Sequence, residues 1–80
     1  MKEIIMPKLE LTMEKGILNS WYKKEGEFVK KGEPLFEVEA DKTNFVIDSD
    51  YNGIFIKALV NIGEEIQVGQ VVGYIEEKKE

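Results

Sequence analysis

Apolar and polar side chains alternate in short runs along most of this chain, and nowhere do they recur at the three-and-four spacing of a helix. In "PLFEVEA", residues 34–40, Phe36, Val38 and Ala40 fall on one face while Glu37 and Glu39, followed by Asp41, fall on the other. That is the period-two signature of a half-buried strand. "TNFVID" continues it with Phe45 and Ile47 inward and Val46 outward. "GILNSWY", "GIFIKALV" and "VVGYIEE" are rich in branched and aromatic residues, and "KEIIM" supplies a first strand. "KKEGEFV" and "NIGEEIQVG" each set a very short strand among glycine turns. The pattern predicts an all-β fold of about eight short strands in two packed layers, a flattened sandwich. Its expected inward set is Ile5, Ile17, Trp21, Val29, Phe36, Val38, Phe45, Ile47, Ile54, Leu59, Ile66, Val72 and Ile75.

The pattern also repeats. Laid over one another, "GILNSWYKKEGEFVKKGEPLFEVEA" and "GIFIKALVNIGEEIQVGQVVGYIEE" match at an offset of 37 residues. Gly16, Gly26 and Gly32 then fall on Gly53, Gly63 and Gly69, and Ile17, Glu27 and Glu39 fall on Ile54, Glu64 and Glu76. With glycine at about 7% of residues, three such coincidences at one of some forty offsets arise by chance about once in a hundred. One supersecondary unit is therefore used twice, and neither copy can bury its apolar face alone. The two-layer fold should carry a pseudo-two-fold axis. The domain is expected over residues 1–76, with the charged residues 77–80 opening a linker or tail and reading as the front of a longer chain.

Composition narrows the chemistry. There is no cysteine, histidine or arginine, and eleven lysines stand against sixteen carboxylates for a net charge of −5. The commonest acid–base residue, the commonest metal ligand and the thiolate are all missing. An acidic chain is a poor match for a phosphate backbone, so no nucleic-acid partner is expected. No apolar run approaches the roughly 18 residues of a membrane span, and the polar "MKEIIMPK" is unlike a signal peptide. A monomeric domain of the bacterial cytoplasm, with no membrane partner, is the expectation. With Ser20 and Ser49 as the serines and no base to pair with them, no nucleophile–base pair is apparent and catalysis is not expected.

One residue stands out by position. Lys42 lies where the first repeat ends, between two alternating strands, so a two-fold sandwich presents it on a tight turn at one end, with the termini at the other. Asp41 suits that turn, because a short acceptor side chain can bond nearby backbone N–H groups. An ordinary lysine, with a pKa near 10.4, is neutral only about once in 2,500 at pH 7. Nothing in the sequence desolvates residue 42, so it reads as a group to be acylated by another enzyme rather than as a base.

The motifs "MPKLELTMEKG", Trp21, "KKEGEFVKKGEPLFEVEADKTNFVIDS" and "GEEIQVGQVVGYIE" resemble, over nearly the whole chain, the lipoyl domains of 2-oxo acid dehydrogenase acyltransferases. The resemblance implies lipoate in amide linkage on Lys42, a non-catalytic carrier, and attachment by a lipoate ligase or lipoyl transferase. It implies three further partners: a thiamin-dependent decarboxylase, an acyltransferase core and a dihydrolipoyl dehydrogenase. Pyruvate is the first choice of 2-oxo acid and acetoin the second, because the "LTMEKG" loop looks more like those systems. Glu39, Asp41 and Thr43 flank the lysine, and the loop bearing Leu9, Glu14 and Gly16 lies beside that turn in the family. These six are the candidate presentation and recognition residues. The sequence departs from the family pattern at Asn44, Phe45, Val46 and Glu10. Two alternatives stay open. A biotin carrier has the same architecture but flanks its lysine with methionines, and an unmodified adaptor built on the same hairpins would need no Asp-Lys at the tip.

Overall fold

The computed structural model describes residues 1–79, so the final position of the expected charged tail lies outside the described residues. Every regular element among them is a strand: β1 (Lys2–Ile5), β2 (Lys15–Trp21), β3 (Phe28–Val29), β4 (Pro34–Ala40), β5 (Thr43–Asp48), β6 (Gly53–Ala58), β7 (Glu65–Gln67) and β8 (Val71–Glu77). They form two antiparallel four-stranded sheets, ordered β1-β8-β6-β3 and β5-β4-β2-β7. The eight strands and two layers read from the alternation are both present.

An offset of 37 residues carries β2 onto β6, β3 onto β7 and β4 onto β8, with β5 in the place of β1. The symmetry extends to single hydrogen bonds. Gly26 N–H donates to the Phe55 carbonyl and Gly63 N–H to the Leu18 carbonyl, each at 2.7 Å. Glu27 Oε1 accepts from Lys24 N–H and Glu64 Oε1 from Asn61 N–H, each at 2.6 Å. Gly26 and Gly63 have φ of 94° and 93°. A side chain is strained in that region, so glycine recurs at both turns.

Between the layers, Leu18, Val29, Phe36, Val38, Phe55, Ile66, Val72 and Ile75 are buried, joined by Met6, Met13 and Leu35. Trp21 is half-buried; its ring stacks on Phe55 at 5.0 Å and tilts against Phe36 at 5.3 Å, while Nε1–H donates to the Val60 carbonyl at 3.1 Å. Three residues of the expected inward set face solvent instead: Ile5, Ile17 and Leu59. Their inward counterparts are one position away, at Ile4, Leu18 and Val60. In β2 the pairing register with β4 shifts between Leu18 and Ser20, and in β6 the register with β8 shifts between Phe55 and Lys57. An extra residue in a strand reverses the parity of everything beyond it. Leu18 and Trp21 can thus both point inward although an uninterrupted strand would put them on opposite faces. Ile54, counted inward by the same parity, is only half-buried beside the buried Phe55.

Candidate functional site

β4 and β5 stay in antiparallel register from Phe36↔Ile47 up to Ala40↔Thr43, so their whole connection is Asp41 and Lys42. Both have positive φ, 50° and 65°. Two left-handed central residues define the hairpin turn whose twist matches its strands. For residues with a Cβ that conformation costs roughly 1–2 kcal/mol each, which the paired strands beneath must hold in place. Asp tolerates it better than most residues. That is what Asp41 contributes: no side-chain hydrogen bond among the described residues involves its carboxylate, so the expected side-chain cap on the turn does not form.

Lys42 is exposed and makes no ion pair or side-chain hydrogen bond among the described residues. Ala40 below it is buried, which anchors the base of the turn while the amine projects. Thr43 is exposed opposite Ala40, and Glu39 points outward between Ile17 of β2 and Asn44 of β5. Across that same outer face Asn19 Nδ2 donates to Asn44 Oδ1 at 3.2 Å, tying β2 to β5 over the top of β4. Further along the face, Tyr22 Oη donates to Glu37 Oε1 at 2.6 Å, a bond that raises the phenol's pKa. Val46 is exposed on this face, as the alternation predicts.

Beside the tip lies an open cleft of about 240 Å³, lined by Glu10, Thr12, Met13, Glu14, Lys15, Ala40 and Asp41. It brings Glu14 together with Asp41. Leu9 does not line it, and Gly16 is buried. A Cβ at residue 16 would sit 3.1 Å from the Glu39 carbonyl, so Gly16 lets β2 approach β4 and offers no side chain to a partner. Sequence reasoning missed Met13, which is buried and pins the 6–14 loop over the core next to the turn. The available signal was its place as a lone apolar residue between Thr12 and Glu14. Among the described residues no group of three or more His, Cys, Asp or Glu is arranged to hold a metal. What this end of the molecule offers chemically is a primary amine, held out by a rigid turn beside carboxylates.

The Biotin_lipoyl family model, described as biotin-requiring enzyme, matches residues 2–75. The chain belongs to the biotinyl/lipoyl attachment family. A structural neighbour within reach of this fold is the solution structure of the lipoyl domain of the 2-oxoglutarate dehydrogenase complex from Azotobacter vinelandii. It has a TM-score of 0.78 and 26% identity, and the match covers 96% of this chain and 98% of that one. Among curated relatives of this family member, the dihydrolipoyllysine-residue acetyltransferase component of the pyruvate dehydrogenase complex of Zymomonas mobilis is 43% identical over 79 residues, 98% of this chain. The corresponding succinyltransferase component of the 2-oxoglutarate dehydrogenase complex of Bacillus subtilis is 35% identical over 77 residues, 96% of this chain. The chain spans 18% of the length of each of these two relatives.

Proposed function

We propose that this domain is a lipoyl carrier, with lipoate joined through an amide to Lys42 Nζ. The observation that carries the reading is an unpaired, exposed lysine as one of only two residues in a hairpin tip. It is supported by relatives whose names specify a dihydrolipoyllysine residue. The site fits the group: amide formation needs a reachable primary amine, and Ala40 and the paired strands hold the backbone while leaving the side chain free.

Attachment requires a lipoate ligase or lipoyl transferase that brings an activated acyl carbon. Lys42 Nζ bonds to it, the activating group leaves and the amine loses its charge. Once bound, lipoate supplies a dithiolane that carries acyl groups and reducing equivalents between the decarboxylase, the acyltransferase core and the dihydrolipoyl dehydrogenase of a 2-oxo acid complex. The protein's own share is position and recognition. Asp41 and Lys42 fix where the arm is rooted, while Glu39, Thr43 and the cleft residue Glu14 give partners a surface to read. Leu9 belongs to this surface only through the course of the loop, and Gly16, buried in β2, only by letting β2 lie close to β4. Pyruvate remains the first choice of 2-oxo acid and acetoin the second, the former supported by the 43% identity to a pyruvate-complex component. The domain is then one part of a longer acyltransferase whose catalytic domain lies outside these residues.

The second reading, a biotin carrier, is favoured only by the breadth of the family. Asp41 and Thr43 stand where methionines would flank a biotinyl lysine. Intact mass after incubation with lipoate ligase and lipoate, or with biotin ligase and biotin, decides between them. The lipoyl adduct alone is expected; biotin alone would overturn the assignment. Asp41→Met together with Thr43→Met should raise biotinylation of Lys42, and no gain would show that these flanks do not govern the choice.

A further inference from the structure

Four asparagines occur in the chain, and only Asn52 is followed by glycine. Asn19, Asn44 and Asn61 precede Ser20, Phe45 and Ile62, whose side chains crowd the backbone nitrogen that follows. An unhindered Asn-Gly pair can react with itself. The Gly53 nitrogen bonds to Asn52 Cγ, ammonia leaves, and a five-membered imide forms. Water then opens the imide at either carbonyl. One opening gives aspartate; the other gives isoaspartate, in which the main chain runs through the β-carbon and is one methylene longer.

The fold demands this pair and restrains it. Gly53 is buried at the start of β6, and a Cβ there would run into the Glu76 carbonyl, so no other residue fits without moving β8. Asn52 Oδ1 accepts from Lys31 N–H at 2.9 Å, and its main-chain carbonyl accepts from Lys78 N–H at 2.8 Å. Gly53 itself is paired with Glu77 on one side and with Val29 of β3 on the other, and the antiparallel pairing with Val29 engages the Gly53 N–H. The amide carbon is thus held by one partner and the attacking nitrogen by another. The weakest of these restraints is β3, a two-residue strand at the edge of its sheet. Short edge elements open most readily.

We propose that Asn52–Gly53 is a deamidation site kept silent by the fold and released when β3 leaves the sheet. The two products differ in consequence. Aspartate at 52 keeps an oxygen for the Lys31 N–H, whereas isoaspartate adds main-chain length where Gly53 already meets Glu76. The site lies at the end of the sandwich away from the Asp41–Lys42 turn, so this inference stands independently of the lysine's modification.

The test is peptide mapping of the domain held at one mildly alkaline pH and temperature, folded or unfolded in urea, scoring the mass gain of amide-to-acid conversion and isoaspartate at residue 52. In urea residue 52 should convert first among the asparagines. In the folded domain it should convert about tenfold or more slowly, equivalent to local opening that costs at least ~1.4 kcal/mol. Val29→Ala, or Phe28→Ala if the former does not fold, should speed conversion in the folded state, and Asn52→Asp should keep parental stability. Equal folded and unfolded rates, no preference for residue 52 in urea, or a β3 variant that converts no faster would each overturn the proposal.

Discussion

Glu33 and Gln70 occupy equivalent places in the two repeats and make the same bond with different chemistry. Glu33 Oε1 accepts from Lys30 N–H at 2.7 Å, and Gln70 Oε1 accepts from Gln67 N–H at 2.9 Å. The Lys30 N–H, aided by the charge of Lys23, holds the Glu33 carboxyl below the usual glutamate range. A carboxyl lowered by folding stabilises the fold above its unfolded value, near 4.3, and that contribution fades as pH falls through the lowered one. Glu33→Gln should therefore fold as the second repeat already does and lose less stability on acidification through that window. Urea midpoints at neutral and acid pH check this; an unchanged acid slope would place the sensitivity elsewhere. At this scale the sequence was partly legible. Lys42 could be located, because alternating strands flank it and the repeat ends there. The left-handed backbone at Asp41 and Lys42 could not, since neither residue is the glycine that ordinarily announces it.

β2 shows why the strands were easier to read than their faces. Seven residues rich in branched and aromatic side chains say strand, but the extra residue near Asn19 has no composition of its own. Counting by twos from Trp21 therefore lands on exposed Ile17 rather than buried Leu18. The equivalent strand β6 carries the same bulge between Phe55 and Lys57, so Ile54, the counterpart of Ile17, is likewise one position from the buried Phe55. β4 has no shift between Phe36 and Ala40, and there the alternation put Phe36, Val38 and Ala40 inward correctly. Met6 and Met13 were missed because they lie outside strands, where periodicity gives no guidance. The corrected parity predicts unequal costs for neighbours: Leu18→Ala should lose about 2–5 kcal/mol of stability, and Ile17→Thr about 0.5 kcal/mol or less. Chemical denaturation of both variants measures the difference, and equal losses would contradict the bulge.

Over the whole molecule, two layers exchanged by a two-fold axis set the Asp41–Lys42 turn at one end of a body about 37 Å long and the paired chain ends, β1 on β8, at the other. Lys42 is thereby held at the end of the domain opposite the paired terminal strands. Modification of one lysine lowers the count of positive charges from eleven to ten against sixteen carboxylates, so net charge should move from −5 to −6 in a single step on ion exchange. More than one step would mean more than one site. The central claim is geometric: the ligase reads an amine at one position of a two-residue turn. Exchanging Asp41 with Lys42 keeps composition and charge but redirects the amine, since successive residues of a hairpin project differently. The deciding measurement is mass spectrometry of every lysine after ligase treatment of parent and exchanged domains, with circular dichroism to show that both fold. The account predicts modification at Lys42 alone in the parent and severe loss or none in the exchanged protein; modification of other lysines, or of the exchanged domain at the parent's rate, would contradict it.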